Sequence, residues 1–301
     1  MFEYGPEVEA WGRGGEALDV SPLERLRFAV AATQHGGGLA TMTAKVRRYD
    51  LDAFQALVDG LSADQLLAVE QTARRLHGDG VVALLLGRAP YPSNLAATRN
   101  APAALFLRGP LQLLERPALG LCGSRHATEE GLRAARACGE AVASHRFTVV
   151  SGYARGVDVV AHTAALDAGG ATVMVLAEGI DHFRIRRGDF ARAWDPTRAV
   201  VVSQFAPSQP WSAGAAMARN AVISGLSRAL VVVEAGDTGG TLAAGLHALA
   251  QGQPVIALQL SGLPSGNEQL QSKGASVVRS RAELEALLDD LPSGTTQLSL
   301  M

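Results

Sequence analysis

ALGLCGSRHATEEGLRAARACGEAVASHRFTVVSGYARGVDVVAHTAALDAGGATVMVL, residues 118–176, reads as strand, helix, strand, helix, strand. The strands 118–122, 147–150 and 172–176 are short apolar runs, and the segments between them, 128–144 and 157–167, are Ala-rich with helical spacing. Strands that are apolar on both faces belong in a parallel sheet covered by helices on both sides. The alternation continues through strand 199–203, helix 217–224, strand 229–234, helix 241–251, strand 254–258, strand 275–279 and helix 281–289. The fold class is therefore α/β: an extended Rossmann-type, mostly parallel sheet with helices on both faces, spanning residues 118–291.

Upstream the texture differs. From Ser21 to about His77 the apolar residues Leu23, Leu26, Val30, Leu51, Phe54, Leu57, Val58, Leu66 and Val69 recur at helical spacing. Ser21-Pro22 and Ser62 have the chemistry of helix starts, which makes residues 21–80 a small helical domain interrupted by the turn at Gly36-Gly37-Gly38. Residues 81–117 read as a strand-and-loop connecting segment. The first 20 residues hold five glycines and prolines without a sustained period and are expected to form a flexible leader; residues 292–301 are expected to be a frayed tail.

Composition narrows the function classes. With 48% hydrophobic and 19% charged residues the chain is an ordinary globular protein. It contains no apolar run near the roughly 20 residues that span a bilayer and no signal-type N-terminus, so no membrane association and a cytoplasmic location are expected. The formal net charge of −2 requires that any nucleic-acid binding come from a local basic patch. Cys122 and Cys138 lack metal-ligand spacing and are expected to be buried free thiols; no metal is expected.

In a parallel α/β sheet, ligands bind beyond the carboxyl ends of the strands, where helix N-termini favour anions. Four loops there share one composition. Gly123-Ser124-Arg125 follows the first strand, offering close backbone approach, a hydroxyl and a forked cation. Ser151-Gly152-Tyr153-Ala154-Arg155-Gly156-Val157-Asp158 follows the second, with Asp158 placed to cap or orient Arg155. Arg219 and Asn220 are expected at the start of a short helix. Gly239-Gly240-Thr241 opens another helix, a setting suited to a phosphate oxygen. Each loop taken alone is equally consistent with a tight turn.

The segment after strand 172–176 carries Arg184, Arg186, Arg187 and Arg192 beside Asp181, Asp189 and Asp195, either a solvated face or the wall of a phosphate groove. Neither GxxxxGK[ST] nor GxGxxG after the first strand is present, and GxSxG is absent too, which disfavours an NTP motor, an ordinary dehydrogenase and a serine hydrolase. His162 is the one histidine within a motif, and the ordinary role of such a residue is helix packing.

Taken in order, these motifs resemble the DNA-processing protein A family (DprA/Smf). The similarity runs from about Val81 to Leu288 through Tyr91-Pro92, Leu105-Phe106-Leu107-Arg108-Gly109, Gly123-Ser124-Arg125, Ser151-Gly152, Arg155-Gly156-Val157-Asp158 with Ala161-His162, Gly179-Ile180-Asp181, Arg219-Asn220 with Ile223-Ser224-Gly225-Leu226-Ser227, Val233-Glu234-Ala235, and Gly266-Asn267 with Lys273-Gly274-Ala275. The resemblance implies a Rossmann domain that binds single-stranded DNA and presents it to a RecA-type recombinase in DNA uptake and recombination, as a homodimer and without catalysis or cofactor. It also implies that Arg125, Arg155 and Arg219 grip phosphates while Gly123, Ser124, Gly152, Gly239, Gly240 and Thr241 form the pocket floor, with Gly156 and Asn220 beside them. Tyr153, Phe183 and Phe205 are the loop aromatics available for base stacking. The chain departs from the family pattern at His182-Phe183, where a Tyr-Pro pair is usual, at Ser203-Gln204 in place of Ser-Glu, and at Thr238-Gly239-Gly240-Thr241 in place of Ser-Gly-Ser. No winged-helix domain is expected after Leu291.

Two other readings use the same pocket. A nucleoside-monophosphate phosphoribohydrolase has a similar Gly-Gly-x-Gly-Thr loop, although Leu242-Ala243-Ala244-Gly245 supplies no carboxylate for general acid/base work. A nucleotide-binding sensor would need only the phosphate contacts.

Overall fold

The computed structural model describes residues 20–261 and 264–291, so the expected leader and tail lie outside the described residues, apart from Val20. The chain forms two compact units that exchange short segments: the first runs up to Tyr91 and takes in Pro102–Arg108, and the second comprises Pro92–Ala101 and the chain from Gly109 onward.

The smaller unit holds α1 (Pro22–His35), α2 (Leu39–Tyr49), α3 (Leu51–Asp59) and α4 (Ala63–Gly78), with β1 (Val82–Leu85) and β2 (Ala104–Arg108) paired antiparallel. Its helix starts follow from local chemistry. The Ser21 hydroxyl accepts a hydrogen bond from Glu24 N at 3.3 Å, and Pro22 pre-sets the first turn. Ser62 and Gln65 cap α4 reciprocally, each side chain accepting from the other's backbone N–H. The apolar faces meet through buried Leu26, Val30, Phe54, Val69 and Leu76, with Phe28 and Phe54 at a ring distance of 5.8 Å.

The larger unit contains α5 (Ser93–Ala97), β3 (Ala118–Cys122), α6 (Glu129–Ser144), β4 (Thr148–Gly152), α7 (Val157–Asp167), β5 (Ala171–Val175), α8 (Asp189–Ala193) and β6 (Ala199–Ser203). It continues through α9 (Ala213–Leu226), β7 (Leu230–Val232), α10 (Gly240–Ala250), β8 (Val255–Leu258), α11 (Gly266–Ser272), β9 (Ser276–Val278) and α12 (Arg281–Asp290). Its strands lie in the order β6-β5-β4-β3-β7-β8-β9, every pair parallel. This is the extended Rossmann-type arrangement expected from residues 118–176.

Both faces of the sheet are covered. On β3, Leu119 and Leu121 point into a core shared with Cys138, Ala141 and Val142 of α6 and Val157, Ala161 and Ala165 of α7. Gly120 points to the other face, where a Cβ would lie 3.3 Å from Ile223 of α9. Cys138 is a buried free thiol whose pKa desolvation pushes up to about 12, whereas Cys122 is a free thiol only half-buried. Among the described residues no helix is long and apolar enough to cross a membrane, and no His, Cys, Asp and Glu cluster could hold a metal ion.

Three elements depart from expectation. Helix α9 begins at Ala213, one turn earlier than the expected 217, because the Ser212 hydroxyl caps Ala215 N at 3.0 Å. Arg219 and Asn220 consequently lie in the middle of the helix. Helix α11 had no periodic signal, being seven largely polar residues, and α8 is a five-residue turn within the arginine-rich segment.

Candidate nucleic-acid interface

The chain winds from β3 outward through β4, β5 and β6, then returns to the other side of β3 for β7, β8 and β9. The reversal between β3 and β7 is a topological switch point, where the loops leaving two adjacent strands part and leave a crevice. The loop after β3 forms one side and the start of α10 the other, and the Thr241 hydroxyl joins them by donating to the Gly123 carbonyl at 3.1 Å.

Gly123 is occupied by the protein itself: a Cβ there would lie 2.4 Å from Val157 Cγ2. Ser124 closes the turn, its hydroxyl accepting from His126 N at 3.1 Å and its carbonyl from Val157 N at 3.3 Å. Gly156 has φ +81° and lies so near the same carbonyl that a Cβ would approach it to 2.3 Å. The loops after β3 and β4 are thus locked together, and Arg125 and Arg155 leave them exposed to solvent.

Below the β4 loop lies a buried ion pair. Arg219 is 7% exposed, its Nη1 3.9 Å from Asp158 Oδ2 and 3.2 Å from the Val175 carbonyl, to which it donates. The guanidinium fills the space where Gly152 has no side chain; a Cβ on Gly152 would fall on top of Nη1. Burial pushes the Asp158 carboxyl up and the Arg219 guanidinium down, and each draws its partner back towards the charged form. Asp158 also accepts from Ala154 N at 3.3 Å, so it orients the β4 loop through backbone while its charged partner is Arg219 and not Arg155. The position of Arg219 is that of an internal brace, and Asn220 beside it is half-buried.

At the fourth loop the arrangement is open. Gly239 has φ +106° with nothing within 4 Å of a Cβ position, and the nearest atom to such a position on Gly240 is Met217 Sδ at 3.9 Å. No side chain caps the first N–H groups of α10. Exposed donors thus stand at the positive end of an 11-residue helix, a setting that favours anions, with Thr241 at its inner edge.

The arginine-rich segment is fastened by aromatics. Tyr153 packs against Phe183 at 5.4 Å and Phe190 at 5.1 Å, and both contact Trp194. Arg186 lies over the Tyr153 ring at 4.7 Å, donating from Nη2 to the Tyr153 carbonyl, while its backbone N–H donates to the Tyr153 hydroxyl at 2.8 Å. Phe183 and Phe205 are 6% and 4% exposed, so these expected stacking candidates are packing residues. Trp211, which belongs to none of the motifs, is 49% exposed with the Arg125 guanidinium 5.1 Å from its ring centroid. A tryptophan in a Ser/Pro/Gly-rich stretch was the available signal.

Other motif residues are structural. Glu234, buried at the end of β7, accepts from Thr128 N at 3.0 Å and from its hydroxyl at 2.7 Å, anchoring α6. Asn267 accepts from Ala235 N and donates to the carbonyls of Val232, Val233 and Leu258, tying β7 to β8. His162 is buried, with Nδ1 against the Thr172 hydroxyl and Nε2 3.4 Å from the Gly152 carbonyl. Desolvation lowers its pKa to about 3, which keeps it neutral.

Fold and site together define a class: a Rossmann-type protein with exposed arginines on the loops after β3 and β4 and an open helix N-terminus at the switch point. The family model for DNA recombination-mediator protein A matches residues 83–289, and the chain belongs to that family. It is 32% identical over 199 residues to the DNA processing protein DprA of Streptococcus pneumoniae, covering 65% of this chain and 70% of that protein. It is 38% identical over 208 residues to the protein Smf of Escherichia coli, covering 68% of this chain and 55% of the relative. The chain thus spans little more than half the length of that second relative. The X-ray structure of DNA processing protein A from S. pneumoniae superposes with a TM-score of 0.69 at 26% identity, covering 89% of this chain and 98% of that one. DNA processing protein A from Helicobacter pylori, solved to describe its single-stranded DNA binding mode, shares the fold with a TM-score of 0.61 at 22% identity, covering 70% of this chain and 96% of that one.

Proposed function

We propose that the switch-point crevice binds the backbone of single-stranded DNA, without cleaving it, and presents the strand to a RecA-type recombinase during DNA uptake and recombination. The observation carrying this reading is the open α10 N-terminus at Gly239, Gly240 and Thr241, which stands across the crevice from the exposed Arg125. Anionic ligands are favoured at such a terminus, and an arginine at the rim extends the grip to a second phosphate. Arg155 adds a further cation from the β4 loop, while Gly123, Ser124, Gly152, Gly156, Arg219 and Asn220 set the shape from which the arginines project. Membership of the DNA recombination-mediator family supports the choice of DNA over a mononucleotide. So does the absence of a carboxylate in the first turn of α10, since the phosphoribohydrolase reading needs a general acid/base there; the buried Glu234 is committed to Thr128. We place the protein in the cytoplasm as a homodimer, the setting in which a recombinase partner would meet it.

Fluorescence anisotropy of a labelled single-stranded oligonucleotide across a salt series tests this reading. Affinity is expected to fall steeply with salt, and Arg125→Ala is expected to weaken binding and reduce the log–log salt slope by about 0.7, the share of one phosphate contact on a single strand. Salt-independent binding, or none at low salt, would sink the proposal.

A further inference from the structure

We infer that Trp211 is the base-stacking platform of this interface, so that one nucleotide is held by its phosphate at Arg125 and by its base on the indole; the inference rests on the single-stranded DNA reading above. Folding ordinarily buries most of a tryptophan, yet Trp211 stands 49% exposed. Its backbone is fixed, because the next residue, Ser212, caps α9. The Arg125 guanidinium lies over its ring, 5.1 Å from the centroid.

That pairing couples the two halves of nucleotide recognition. A phosphate drawn to Arg125 carries a base one sugar away, and the exposed part of the indole that the guanidinium leaves uncovered is the surface that base would meet. Met217, also 48% exposed, lies further along α9, and its Sδ is 3.9 Å from a Cβ position on Gly240, which puts a second exposed apolar side chain at the open α10 N-terminus. The rings considered from sequence are otherwise engaged: Phe183 and Phe205 are buried, and Tyr153 is packed between Phe183 and Phe190. Stacking on an indole reads no particular base, so the expected ligand is unstructured single-stranded DNA of any sequence.

The test titrates the full chain with a labelled oligo-dT and with an abasic deoxyribose-phosphate oligomer of the same length, using wild type, Trp211→Ala and Trp211→Phe. Trp211→Ala should weaken oligo-dT binding about tenfold or more while leaving the abasic oligomer and the salt slope unchanged, and Trp211→Phe should recover most of the loss. Equal weakening on both oligomers, or no weakening on oligo-dT, overturns the stacking role while leaving the DNA reading in place. Failure of the wild type to bind either oligomer overturns the DNA reading and the stacking role with it.

Discussion

The loop after β4 and the loop before α10 have similar compositions and opposite interiors. In the first, Gly152 and Gly156 are glycines because the protein fills the space a side chain would take, with Arg219 over one and the Ser124 carbonyl against the other. In the second, Gly239 and Gly240 border open space. Glycine richness at a strand's carboxyl end therefore has two distinct causes, internal packing and ligand approach. What a Cβ would meet separates them. The same division sorts the arginines: Arg219 belongs to the packed interior, while Arg125 and Arg155 belong to the open rim.

The largest expected effect falls on the packed loop. In Gly152→Ala the new methyl collides with a guanidinium that cannot swing away without abandoning Asp158 and the Val175 carbonyl. Overpacking combined with disturbance of a buried ion pair should cost about 3 kcal/mol, or roughly 6–12 °C in thermal midpoint. A midpoint within a degree of wild type would show that Arg219 is free to move and would erase the contrast between the loops.

A second effect is a pH dependence located under the same loop. The pKa of His162 is depressed in the folded state to about 3, from an ordinary value near 6.5. The sign follows: stability is fully present above pH 6.5 and is lost as the pH falls towards 3, because the unfolded chain takes up the proton first. At pH 4.5 this amounts to about 2–3 kcal/mol. Denaturant melts of wild type and His162→Asn between pH 7 and 4.5 check it, the variant being expected to lose that part of the slope. Parallel pH profiles would contradict a buried neutral imidazole.

Much of the fold was legible in sequence because it rests on local signals. The apolar strands from 118 to 258, the Ser21 and Ser62 caps and the Ala-rich crossover helices each carry their own pattern. The start of α9 was not, because Ala213-Gly214-Ala215-Ala216 has no apolar period to set off the Ser212 cap. Short polar α11 was lost for the same reason. At the site, the loops and the exposed Arg125 and Arg155 could be located from composition and from the switch-point rule. The burial of Arg219 could not, since it depends on Asp158 and on the missing side chain of Gly152, both remote in sequence. Trp211 was missed because its exposure is a tertiary fact, and the aromatics nearer the glycine motifs proved to be the packed ones.

The smallest structural effect should carry the clearest functional one. Gly240 is the first residue of α10, its φ is unstrained and a methyl group there meets only Met217 Sδ at 3.9 Å, so Gly240→Ala should match or exceed wild type in stability by up to about 1 kcal/mol. That methyl would nonetheless stand where a phosphate approaches the helix N-terminus. The decisive measurement is the single-stranded oligonucleotide anisotropy titration of Gly240→Ala beside wild type at one low salt concentration, with both proteins shown to be folded. The expected affinity is several-fold weaker in a protein no less stable; unchanged affinity would contradict the placement of DNA phosphate at the open end of α10.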